Sequence, residues 1–238
     1  MHFSPANPHT REKQQLIQEI QSEVKLCSRE LGFEYLSEPV LEALQSVPRE
    51  AFVPEEYQYA AYDNRPLPIG GGQTISQPFI VAIMTHMLDP KPTDTILEIG
   101  TGSGYQAAIL ASLVHHVYSI EYDPKLADRA AKTLERLGIN NVTIRQGDGF
   151  DGWPEADPFD GIIVTAAAEK IAPPLLEQLR VGGRLVIPID KQWLGQELCL
   201  YTKESKDKIH CQSTISVAFV PFRGKIRSTS GTGDNNDL

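Results

Sequence analysis

The sequence predicts an α/β fold built on a doubly wound, mostly parallel sheet, and three observations carry that expectation. Between residues 79 and 190, short apolar runs alternate with helical patterns, as in a parallel sheet covered on both faces. The run 95–99 (Thr-Ile-Leu-Glu-Ile) breaks into Gly100, Gly102 and Gly104 on alternate positions. That is a buried strand turning into a helix, with main chain left bare where a nucleotide-like cofactor can approach. Asp123 followed by Pro124 then opens a helix as cap and first position, and Gly138 closes it.

The elements follow in order. Residues 1–10 are expected to be disordered. Over residues 11–31, Leu16, Ile17, Ile20, Val24 and Leu31 recur at helical spacing, and Gly32 stands where a helix stop belongs. A shorter helix starts near Ser37, with Pro39 in its first turn and Val40, Leu41, Leu44 and Val47 facing inward. Pro48, Pro54, Pro66 and Pro68 break the next stretch into turns and extended pieces up to Gly70–Gly72. Strands are expected near 95–99, 117–121, 142–146, 161–165 and 184–188, with their carboxyl ends forming the binding edge. Two β-rich runs, 197–202 and 209–222, read as a hairpin at the sheet edge. Residues 224–238 read as a solvated tail. The domain plan is thus 1–10 as a disordered start, 11–78 as an N-terminal helical lobe with a loop, 79–223 as the core with its hairpin, and 224–238 as a tail.

Composition narrows the function. The 238 residues are 41% hydrophobic and 22% charged, a composition that can bury a core. A net charge of −9 argues against a broad phosphate-binding face, so no nucleic-acid partner is expected. No apolar run approaches the roughly 18 residues of a membrane span. Residues 1–15 lack the basic-then-apolar order of a signal peptide. Three cysteines (Cys27, Cys199, Cys211) without a C-x-x-C pair, and six histidines without ligand spacing, indicate neither a disulfide framework nor a metal. The chain reads as cytoplasmic, without a membrane partner, and monomeric.

Gly100, Gly102 and Gly104 are the candidate cofactor turn. Glu121 ends the second core strand 21 positions after Gly100, where an acid can accept from both ribose hydroxyls in this topology. Asp148, between Gly147 and Gly149 after the third strand, can accept from an adenine amino group. Glu98 lies inside the first strand, a buried acid that needs a donor. It either holds the turn or the cofactor's amino group, or makes a structural hydrogen bond. Upstream, Thr74, Ile75 and Ser76 precede a helix through Ile80, Ile83, Met84, Met87 and Leu88, and Ser76 is placed to cap it with Pro78 in the first turn. Ser76 is not in a G-x-S-x-G elbow, which speaks against a hydrolase nucleophile.

The G-x-G-x-G spacing, with Tyr105 next, resembles the first motif of class I (Rossmann-like) S-adenosylmethionine-dependent methyltransferases and not a dinucleotide fingerprint. Residues 66–84 with Gly72-Gln-Thr-Ile-Ser-Gln-Pro78, then Leu97 to Gln106, Gly147-Asp-Gly149, Ile162-Ile-Val-Thr-Ala166 and Val217-Ala-Phe-Val-Pro221 make the likeness specific. Over residues 16–222 the chain resembles the protein-L-isoaspartate (D-aspartate) O-methyltransferases. The resemblance implies methyl transfer from S-adenosyl-L-methionine to the free α-carboxylate of L-isoaspartyl, and more weakly D-aspartyl, residues in damaged proteins and peptides. S-adenosyl-L-homocysteine would be the product. It also implies Ser76 as the active-site residue, with Thr74, Ile75, Val217, Phe219 and Val220 as walls for the peptide. Glu98, Gly100, Gly102, Gly104, Glu121, Asp148 and Gly149 would hold the cofactor, and the last two strands would exchange order relative to other class I enzymes. Ala218 departs from the arginine that many bacterial relatives carry. Three alternatives remain at this point. They are another S-adenosylmethionine methyltransferase acting on a small molecule or RNA, a non-catalytic binder of that cofactor, and an NAD-linked oxidoreductase, which the glycine spacing disfavours.

Overall fold

A computed structural model describes residues 9–191 and 194–225. Its centre is a seven-stranded sheet in the order β5-β4-β3-β6-β7-β8-β9. Here β3 is Thr95–Ile99, β4 His116–Glu121, β5 Val142–Gln146, β6 Phe159–Val164, β7 Leu179–Asp190, β8 Gln196–Ser205 and β9 Lys208–Val217. The first five are parallel, and β7-β8-β9 are antiparallel. The last three strands lie in chain order, which makes β9 a sheet edge.

The strands alternate sides with a period of two. Ile96, Val117, Ile163, Val186 and Leu198 face one core. Leu97, Ile99, Ile120, Ile162, Leu185 and Ile187 face the other. Both faces are covered, which is why apolar residues stand on both sides of the central strands. The first core is continuous with the N-terminal lobe, since Leu16, Ile20, Val24, Leu41 and Leu44 belong to the same cluster as Ile109 and Val186.

The helices are α1 Thr10–Leu26, α2 Ser28–Leu31, α3 Glu38–Ser46, α4 Pro78–Leu88, α5 Tyr105–Ala111, α6 Pro124–Arg136 and α7 Pro173–Gln178. The single helix expected over 11–31 is two helices broken at Cys27, and it begins at Thr10, inside the stretch expected to be disordered. The expectations for residues 1–8 and 226–238 lie outside the described residues. On α6, the Asp123 carboxylate accepts from Lys125 N at 2.8 Å and Leu126 N at 3.4 Å, as a cap should.

Two differences bear on the site. Residues 67–75 form a small antiparallel hairpin, β1 Leu67–Gly70 and β2 Gln73–Ile75, and not loose extended pieces. Gln77, not Ser76, is the N-cap residue of α4. Pro78 takes the first helical position, and the residue just before it is held extended, so the cap moves one residue along. Ser76 is thereby left between hairpin and helix, free of capping duty. The expected edge hairpin is present, but its first strand runs on to Ser205, its second ends at Val217 and not at Phe222, and its turn is confined to residues 206–207.

Candidate active site

β3 pairs with β4 on one side and β6 on the other, so the winding of the sheet reverses there. Such a switch point leaves a crevice at the carboxyl ends of the strands. A cavity fills it, lined by residues 99–103 after β3, 120–122 after β4, Gly149 after β5, and Thr165 and Ala166 after β6. Residues 73–76 and 220–223 form its opposite wall. Arg223 Nη2 donates to the Gly71 carbonyl at 3.0 Å and ties these two segments together.

The glycine turn is as tight as its composition predicts. Gly100 has φ +96°, and a Cβ there would stand 2.4 Å from Thr165 Oγ1. The Thr165 hydroxyl donates to the Gly100 carbonyl at 2.6 Å, so it fills the space a side chain would need. Glu121 lines the cavity and accepts from Gly102 N at 2.7 Å and from Asp123 N at 2.9 Å. Its carboxylate therefore fixes the turn while keeping lone pairs for the cavity.

Gly100, Gly102, Glu121 and Gly149 line the cavity together with Thr74, Ile75, Ser76 and Val220. Three of the expected cofactor residues do not. Gly104 lies beneath the turn, where a Cβ would meet Ala130 at 3.2 Å. Glu98 is completely buried behind the cavity floor, and Ser119 Oγ donates to its carboxyl, which is the structural hydrogen bond of the two readings left open for it. Burial pushes its pKa up to about 8, against the Ser119 hydrogen bond and aided by the charge of Glu121. Asp148 accepts from Phe150 N at 2.9 Å and from Lys225 N at 3.0 Å, so its carboxylate also anchors the end of the described chain.

A second depression opens beside the first. Its walls are Glu23 and Leu26 from α1, Cys27 at the break, Glu30 from α2, and residues 214–220 from β9 and beyond, including Val217, Phe219 and Val220. Thr74, Ser76, Thr165 and Val220 border both spaces. The Ser76 side chain has no hydrogen bond among the described residues, whereas its carbonyl accepts from Arg49 Nη2 at 2.8 Å. The cavity and the groove thus meet at four residues, and the Ser76 hydroxyl stands unengaged at that junction. Neither Arg49 nor Arg223 carries a sequence signal that marks it as part of the site, and Thr165 stands out only as one residue of the 162–166 run. Arg49 stands in a proline-broken stretch with no periodicity to show that it is buried.

The model of the protein-L-isoaspartate (D-aspartate) O-methyltransferase (PCMT) family matches residues 21–227. The chain belongs to that family. A protein-L-isoaspartate O-methyltransferase 2 of Syntrophobacter fumaroxidans is 49% identical over 218 residues, covering 92% of this chain and 88% of the relative. Another of that name from Nitrosococcus oceani is 51% identical over 211 residues, covering 89% and 96%. A solved protein-L-isoaspartate O-methyltransferase structure superposes with a TM-score of 0.78 at 28% identity, over 90% of this chain and 67% of the other. A Plasmodium falciparum structure of similar description, in complex with S-adenosyl-L-homocysteine, has a TM-score of 0.71 at 24% identity, over 87% and 97%, and shares the fold.

Proposed function

We propose that this chain methylates the free α-carboxylate of L-isoaspartyl residues in damaged proteins, with S-adenosyl-L-methionine as donor. The observation that carries the reading is the meeting of cavity and groove at Ser76. The cavity suits the cofactor. Glu121 offers acceptors for paired hydroxyls, the bare main chain at Gly100 and Gly102 admits the amino-acid portion, and Ile120, Gly149 and Phe222 offer apolar walls for a flat base. When bound, S-adenosyl-L-methionine supplies a methyl group on a good leaving group.

The chain's own part is alignment. A peptide α-carboxylate is ionised at neutral pH and needs no general base. The Ser76 hydroxyl is placed to donate to one carboxylate oxygen and leave the other directed toward the cavity. Thr74 and Val220 wall the junction, and Val217 and Phe219 carry the peptide beyond it. Glu98 and Asp148 support the site from behind: Glu98 lies under the turn, and Asp148 holds residues 148–150 and 225 together. Ordering two reactants in one water-poor junction is enough to supply several powers of ten in rate. We further read the protein as a cytoplasmic monomer with no nucleic-acid partner. The net charge of −9 supports the last point. No helix among the described residues is long and apolar enough to cross a membrane.

The test is methyl transfer from labelled S-adenosylmethionine to two peptides that differ only in Asp or isoAsp. Base-labile label on the isoAsp peptide alone is the expected result. Label on neither peptide, with S-adenosylhomocysteine still bound, would remove the substrate assignment and keep the cofactor one.

A further inference from the structure

The turn that carries Ser76 is held from two sides by charged residues outside the reacting centre. On the inner side stands Arg49, with no exposed surface and, among the described residues, no acidic partner in an ion pair. Its Nε donates to the Ala61 carbonyl at 2.9 Å and its Nη2 to the Ser76 carbonyl at 2.8 Å. Its guanidinium lies 4.8 Å from the ring centre of Tyr105, which lines the cofactor cavity. Burial lowers its pKa to about 10, so it stays a cation at neutral pH. Burying a cation without a carboxylate is costly, and a fold that needed only a filled space would use an apolar side chain there.

On the outer side Glu23 of α1 receives the Asn64 amide at 2.7 Å and, more loosely, the Gln77 amide at 3.4 Å. Asn64 in turn accepts from Phe79 N at 3.0 Å, satisfying one of the orphan donors at the start of α4. A single carboxylate on the N-terminal lobe thus gathers the residue after Ser76 and the loop that caps the next helix. Both contacts leave the serine hydroxyl untouched.

We propose that Arg49 and Glu23 are positioning residues for methyl transfer, fixing the Ser76 hydroxyl at the junction through the Ser76 carbonyl and the Gln77 side chain. The proposal rests on the reading of Ser76 given above. It makes the N-terminal lobe, and α1 in particular, part of the catalytic apparatus. Arg49 supplies two directed donors from a planar fork, which a lysine cannot reproduce together. Glu23 supplies an acceptor that glutamine keeps in part and alanine loses.

The test is a set of double-mutant cycles on Ser76→Ala, Glu23→Ala, Glu23→Gln and Arg49→Lys, with isoaspartyl-peptide kinetics, S-adenosylhomocysteine affinity and thermal midpoint read for each. Glu23→Ala should lower kcat/KM by roughly 10-fold, the scale of a hydrogen bond to a charged group, and Glu23→Gln should recover part of that loss. S-adenosylhomocysteine affinity should stay within about 2-fold for the Glu23 variants, since α1 does not line that cavity. In the Ser76→Ala background the same substitutions should cost less than about 2-fold, because a residue acting through the hydroxyl has nothing left to position. Equal losses with and without the hydroxyl would overturn the proposal. So would a loss matched by weaker cofactor binding in the Glu23 variants. A fully active Ser76→Ala would instead remove the reading of Ser76, and the positioning roles with it. Should Arg49→Lys fail to fold, the Glu23 cycle decides.

Discussion

Glu98 offers a direct test of how the floor of the cofactor cavity is built. Its carboxyl is fully buried, Ser119 donates to one oxygen, and the other oxygen has no partner among the described residues. Burial holds its pKa near 8 in the folded chain, against an ordinary 4.5 when the chain is unfolded. Between those values the folded state binds the extra proton, so stability must fall as pH rises. The contribution is complete below about pH 4.5 and is lost progressively up to about pH 8. At 1.36 kcal/mol per unit, the loss reaches about 3 kcal/mol by neutral pH. Glu98→Gln keeps the shape and removes the titration. Urea unfolding from about pH 5 to about pH 8 should show the variant gaining on the parent by that amount. Because Glu98 does not line the cavity, S-adenosylhomocysteine affinity should be nearly unchanged. Parallel stability profiles for the two proteins would refute the argument, and a large loss of affinity would restore Glu98 as a cofactor contact.

Other perturbations separate alignment from architecture. Ser76→Ala should lower kcat/KM by roughly 10- to 100-fold with S-adenosylhomocysteine affinity kept, the effect of one hydrogen bond to a charged group; a fall beyond about 10⁴ would point to proton transfer instead. Gly100→Ala puts a methyl 2.4 Å from Thr165 Oγ1 at φ +96°, and calorimetry should find cofactor affinity reduced at least about 10-fold together with a lower melting point. Lys203, nearly buried, donates through Nζ to the carbonyls of Leu176 at 2.7 Å and Leu179 at 2.6 Å at the end of α7; Lys203→Met should cost about 2–3 kcal/mol and leave kcat alone in the folded fraction. Asp123→Ala removes the cap of α6 and should lower the melting point by roughly 2–4 °C, a cost of about 1 kcal/mol by scanning calorimetry.

What the sequence shows plainly is whatever repeats or is punctuated. The central strands announce themselves because both their faces are buried, whereas the half-exposed edge strand β5, matched end to end by residues 142–146, shows through its β-branched Val142, Thr143 and Ile144. Asp123-Pro124 and Gly138 mark α6 because caps and stops demand those residue types. The glycine turn and Glu121 were legible as a pair because strand, turn and acid occur at a spacing that the topology imposes. The hairpin at 67–75 was hidden, since its strands are only four and three residues long and three glycines obscure any alternation. The break at Cys27 carries no Pro or Gly and cannot be read from local pattern. Arg49 and Glu23 were invisible for a different reason. Their partners lie 12 to 54 positions away, and only tertiary structure joins them.

The cofactor cavity draws its walls from residues as far apart as Gln73 and Arg223. None of that surface exists until the parallel sheet has formed around its switch point and residues 220–223 have returned to the hairpin at 67–75. Ligand binding and completion of the fold are therefore one equilibrium. A ligand at about one hundred times its dissociation constant would add about 2.7 kcal/mol to the stability of the whole chain. In a cell rich in the methyl donor, the protein would be held together partly by the molecule it consumes, and starvation for that donor would shorten its life as well as slow its turnover.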